Sequence, residues 1–148
     1  MRRALVPVLL LLPFTGCLET PTDDVEEVRD EGEACLVDVT TAPYGTGVVV
    51  EAGEAATVRV AFGDCAPCGE DIESTCSVSV EGGQLAVSAV SSWVPLGDDV
   101  DCPADCRPWF AECTSEPLPA GSYVLAYGGG AEPFTVPSSG AIICAVSD

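Results

Sequence analysis

The chain is 148 residues long, carries five basic and 24 acidic side chains, and contains neither histidine nor lysine. This excludes Ser-His-Asp and Cys-His catalysis, an imidazole metal ligand and a Schiff-base lysine, so no catalytic residue and no cofactor is expected. So acidic a surface repels nucleic acid and anionic lipid headgroups, and attracts basic partners or divalent cations.

In chain order, Arg2 and Arg3 come first, then an apolar run from Ala4 to Phe14, then Thr15, Gly16 and Cys17. The run is shorter than the ~20 apolar residues that span a bilayer and has the length of a signal-peptide core. Basic start, short apolar stretch, small residues and a cysteine together resemble a bacterial lipoprotein signal with its lipobox, in which Phe14 occupies a position where the family prefers Leu. The resemblance covers residues 1–17. It implies a signal peptide over 1–16, cleavage before Cys17, a diacylglyceryl thioether on that thiol and acylation, such as palmitate, on the new amine. It also implies a lipid anchor in the cell envelope. The residue after the cysteine is Leu18 rather than Asp, which leans toward the outer membrane and leaves the periplasmic or surface face open. Loss of Arg2 and Arg3 leaves Arg29, Arg59 and Arg107 against 24 acids, a formal charge of −21 (3 − 24).

Residues 17–34 read as the lipidated cysteine followed by a flexible acidic tether. Glu19, Asp23, Asp24, Glu26, Glu27, Asp30, Glu31 and Glu33 stand against a single arginine, and too few apolar residues are present to offset ordering entropy. The domain is expected over 35–148, and its signal is strand throughout. Leu36–Thr40 and Thr46–Glu51 are short candidates. In Thr57–Phe62 the alternation is strict, with Val58, Val60 and Phe62 on one face and Thr57, Arg59 and Ala61 on the other. Cys76–Glu81 repeats that pattern, Gly82-Gly83 supplies the positive φ of a tight hairpin, and Gln84–Ala89 returns. Trp109–Thr114, Ser122–Tyr127, Phe134–Val136 and Ala141–Ala145 follow, with Gly128–Gly130 as a turn. Many short strands punctuated by Gly, Pro and Asp predict an all-β fold, a small disulfide-stapled antiparallel β-sandwich.

Leu118-Pro119-Ala120-Gly121-Ser122-Tyr123 resembles the L-x-x-G-x-Y entry to a late strand in immunoglobulin-like sandwiches. The resemblance implies that plan in general, and a Tyr123 hydroxyl bonded back to the main chain at a sheet corner.

Apart from Cys17, eight cysteines remain: Cys35, Cys65, Cys68, Cys76, Cys102, Cys106, Cys113 and Cys144. An even set in an exported domain predicts a disulfide framework. Cys76 shares a face with Val78 and Val80, and Cys113 holds the corresponding place after the second cysteine cluster, so these two are expected to pair through the core. Short-range bridges Cys65–Cys68 and Cys102–Cys106, and a terminal bridge Cys35–Cys144, complete the expected set. A zinc knuckle is disfavoured by unequal spacings, missing histidine and an oxidising compartment. Cys65-Ala66-Pro67-Cys68 resembles the C-x-P-C centre of thioredoxin-like oxidoreductases. The acids Asp64, Glu70 and Asp71 beside it would raise a thiol pKa, and no activating helix follows.

Asp98, Asp99, Asp101 and Asp105 form the densest carboxylate cluster of the domain and are weak calcium candidates, without the spacing of an EF-hand. Trp93 and Arg107-Pro108-Trp109-Phe110 hold both tryptophans; the aromatics are expected in the core, with a recognition patch as the rival. In plan the chain resembles the cysteine-rich lipoproteins of Gram-negative bacteria. The expected function is a membrane-anchored binding or structural module for an unidentified envelope protein or ligand. The alternatives are a thiol-disulfide oxidoreductase using Cys65 and Cys68, or a small surface recognition or inhibitor module.

Overall fold

A computed structural model describes residues 24–38, 48–97, 100–102, 105–138, 140 and 142–148. Among these residues nine strands run in order: β1 Glu26–Arg29, β2 Glu33–Val37, β3 Ala55–Gly63, β4 Gly69–Glu81, β5 Gln84–Pro95, β6 Trp109–Pro117, β7 Gly121–Tyr127, β8 Gly130–Val136 and β9 Cys144–Val146. They form two sheets. In the first, β5 pairs β4 on one edge, and on the other it pairs β1 near its end and β7 near its start; β8 extends from β7. The second has the order β6-β3-β2-β9. The sheets pack face to face around one core, so the expected all-β sandwich is the fold observed.

The alternation explains this layering. Val58 and Val60 are fully buried and Phe62 nearly so, while Arg59 and Ala61 lie on the outer face. From the first sheet, Leu85, Val87, Ala89, Leu125 and Tyr127 point inward to meet them. Gly82 and Gly83 both take positive φ (57° and 83°) in the β4–β5 hairpin, a conformation glycine adopts without steric cost. Tyr123 Oη donates to the Pro119 carbonyl at 2.9 Å while Leu118 is fully buried, which is the corner expected from Leu118–Tyr123.

Three expectations need correction. The segment read as tether enters the fold: β1 pairs β5 from Glu26↔Trp93 to Arg29↔Val90, and β2 begins at Glu33. Composition failed here because the segment is held by contacts made from outside it. Asp30, at positive φ (51°), exchanges main-chain and carboxylate hydrogen bonds with Ala89, and Tyr127 Oη donates to the Glu31 carbonyl at 2.7 Å. Second, the sheets are not wholly antiparallel, since β5 and β7 pair in parallel over Gln84↔Val124 to Ala86↔Ala126. That connection passes through the second sheet, so the returning strand can arrive in either direction. Third, the strand expected over Leu36–Thr40 starts earlier, at Glu33, and is described to Val37; Val39 and Thr40 lie outside the described residues. Of the Thr46–Glu51 candidate, the described part holds only an isolated bridge at Val48.

The disulfides divide in the same way. Cys76–Cys113 joins β4 to β6 across the core with a Cα separation of 5.5 Å, and Cys35–Cys144 joins directly opposed residues of β2 and β9, both as expected. The short-range bridges do not form: Cys65 pairs with Cys106 and Cys68 with Cys102. The register gives the reason. Gly63 lies opposite Trp109 and Gly69 opposite Pro95, so the β3–β4 loop is held along the β5–β6 connection. The Ala66 amide donates to the Arg107 carbonyl at 2.9 Å, and each loop cysteine meets the other loop before it can meet its own neighbour.

Candidate functional site

The outer face of the second sheet is built in rungs set by register. One rung is Cys144, Cys35, Arg59 and Glu112; the next is Val146, Glu33, Ala61 and Phe110. Four strands thus bring together side chains up to 113 positions apart (146 − 33). Above these rungs lies a cavity of about 730 Å³, within the usual range for sites that enclose a compact ligand group. Its floor holds the Cys35–Cys144 disulfide and Ala61. Val37, Phe110 and Ile142 contribute apolar walls, and Glu33 and Asp64 supply carboxylates.

Arg59 organises the centre. Its Nε and Nη2 both donate to Glu112 Oε1, at 2.8 and 2.6 Å, and its guanidinium carbon lies 4.8 Å from the Phe110 ring centroid. The pair is three-quarters buried on the arginine side, so it holds Phe110 in place more than an exposed ion pair would. Phe110 nevertheless stays 42% exposed, and Ile142, at 71%, forms a separate apolar shoulder at the opposite edge of the face, ahead of β9.

The aromatic segment therefore splits by strand parity. Phe110 faces outward, whereas Trp109 packs against the core, 5.4 Å from Phe62 and 5.5 Å from Trp93 between ring centroids. Trp109 Nε1 donates to Ser91 Oγ at 2.8 Å. Ser91 is fully buried; it contacts Ser74 Oγ at 2.7 Å and donates to the Glu73 carbonyl at 3.2 Å, so its polar group is satisfied. The core expectation thus holds for Trp109 and not for Phe110. Arg107 and Pro108 are exposed on the approach to β6. The wall residues Val37 and Ile142 carried no motif; the strand parity of β2 could have marked Val37, while Ile142 lies outside any strand.

Other candidates are not brought together. Asp98 and Asp99 lie outside the described residues, and Asp101 and Asp105 are exposed. Among the described residues, the one cluster with metal-ligand geometry is Glu33 with Cys35 and Cys144, but those sulfurs are bonded to each other, which leaves a single carboxylate. Cys65 and Cys68 belong to separate disulfides, and no described residue is helical, so the geometry of a C-x-x-C redox pair is not formed. Cys17 and residues 1–16, read above as a signal peptide, lie outside the described residues; among those described, no helix is long and apolar enough to cross a membrane.

Among the described residues, the one strongly shifted ionisable group is structural. Burial, then the charges of Asp30 and Glu31, push the Tyr127 hydroxyl up to about 12. No protein-family model matches the chain, and neither the curated proteins nor the solved structures hold a significant match to it.

Proposed function

We propose that the chain is an envelope lipoprotein, anchored in the outer membrane through Cys17, whose β domain acts as a binding module. The groove over Arg59, Phe110 and the Cys35–Cys144 bridge is its site. The observation that supports this reading is an apolar concavity on a sheet face that solvent would otherwise cover, with an exposed aromatic held by an arginine. The chain's chemistry agrees: without histidine or lysine, and with eight cysteines in four bridges, the domain is equipped to hold a rigid surface in an oxidising compartment.

Membrane fractionation tests the anchor. Wild type should partition with membranes, and Cys17→Ser should be released or left uncleaved; a variant that is processed and fractionates like wild type defeats it. Quantitative affinity capture from envelope extracts tests the module. Species retained by wild type and lost with Phe110→Ala support the groove, and retention that Phe110→Ala leaves unchanged removes it.

A further inference from the structure

We infer that the groove takes a cationic polypeptide segment that inserts an aliphatic side chain beside Phe110 and sets its basic residues against the acidic rim. This rests on the binding reading above and names its partner class.

Charge complementarity carries the inference. Glu33 and Asp64 line the groove, and Glu112 stands at its edge. Arg59 is the one cation among the described lining residues, and its guanidinium is directed to Glu112 and stacked near Phe110. The potential over the opening is therefore negative, on a chain whose mature charge is −21 (3 − 24). An anionic ligand, a nucleic acid or an acidic lipid surface would meet repulsion at every approach. A second copy is disfavoured on the same ground, because it would set Glu33 and Asp64 of two grooves against each other.

The apolar requirement comes from the walls. Phe110 is large and exposed, and water held against it is released when an aliphatic side chain takes its place. The fixed floor favours an occupant that inserts a side chain over one that remodels the sheet. Cys35 and Cys144 are covalently joined, and Ala34 and Ala145, on the inner rung beneath, are almost completely buried. A basic segment without an apolar anchor would leave these walls wet, and an apolar molecule without charge would make no use of the rim.

The full chain, held in phosphatidylcholine nanodiscs with empty discs subtracted, is titrated with three short synthetic peptides. One has lysine flanks around a Leu-Leu centre, one has lysine flanks around Ser-Ser, and one has glutamate flanks around Leu-Leu. Tryptophan emission is the readout, since Trp109 lines the groove and the peptides contain none. The first peptide should bind at least about tenfold more tightly than the others, and should weaken by about tenfold as salt screens the rim. The Glu33→Gln/Asp64→Asn variant should lose about fivefold in affinity and most of the salt dependence. Phe110→Ala should lose about fivefold with the salt dependence kept. Near-ultraviolet circular dichroism and inert cysteines confirm that each variant is folded. Equal binding of the glutamate-flanked peptide overturns the cationic partner while leaving an apolar binding groove in place. Equal binding of the serine-centred peptide, unaffected by Phe110→Ala, reduces the effect to diffuse acidity and removes the groove as well. Self-association abolished by Phe110→Ala assigns the face to a second copy and overturns the inference.

Discussion

Cys76–Cys113 and the pair Cys65–Cys106 and Cys68–Cys102 join the same two stretches of chain in different ways. The first crosses the sandwich between strands β4 and β6 and packs against the core; the others tie two loops together at its end. By sequence separation the three are nearly alike, at 37, 41 and 34 residues. Their effects are not alike, because each works on a chain the others already constrain. With Cys68–Cys102 intact, Cys76–Cys113 closes a ring of about 20 residues, while Cys65–Cys106 closes one of about 7. A disulfide's contribution depends on the network it joins, and a bridge within regular structure also fills core volume that a loop staple does not.

Breaking the strand bridges should give the largest effects. Cys35→Ala/Cys144→Ala removes the only bridge from β2 to the C-terminal strand among those described, across 109 residues. Denaturant unfolding should show a loss of about 4 kcal/mol on the chain-entropy model. Cys76→Ala/Cys113→Ala should follow at about 3 kcal/mol, with an added cavity where both half-buried sulfurs meet the core. The loop staple comes next: Cys65→Ala/Cys106→Ala should lower stability by about 2 kcal/mol and leave the near-ultraviolet signal of Trp109 intact. Equal melting losses for the last two double variants would show that the bridges act independently, contrary to the nested-ring argument.

The smallest effect sharpens a second contrast, between the core and the acidic segment laid over it. Tyr127→Phe removes the hydroxyl that donates to Glu31, at a cost of about 1 kcal/mol, and should speed amide exchange in residues 26–32. The hydroxyl is also a pH-dependent tie. Its folded pKa is raised from 10.0 to about 12, so its contribution is complete below pH 10 and is lost as pH rises from there through about 12. Alkaline unfolding curves should show that limb in wild type and lack it in Tyr127→Phe. A variant with an unchanged alkaline limb would show that Tyr127 is not the group that titrates there.

Residue by residue, legibility followed periodicity. The sequence alone placed Val58, Val60 and Phe62 inward and Arg59 and Ala61 outward, because a strand's side chains alternate whatever it pairs with. The same rule aimed Cys76 into the core and found its partner Cys113; local turn chemistry located Gly82-Gly83, and the resemblance to an immunoglobulin-like strand entry located the Tyr123 corner. Cys65, Cys68, Cys102 and Cys106 had no such guide, since a loop imposes no direction on its side chains. Their partners were decided when β3, β4, β5 and β6 brought two loop ends together. The Glu26–Arg29 strand was hidden for a related reason: its order is supplied by Ala89, Trp93 and Tyr127, and not by its own composition. The groove is the fullest case. Parity could face Arg59 outward, but only the register of β6, β3, β2 and β9 set it beside Glu112, Phe110 and the Cys35–Cys144 bridge, because side chains distant in sequence become neighbours only through the hydrogen-bonded pairing of strands.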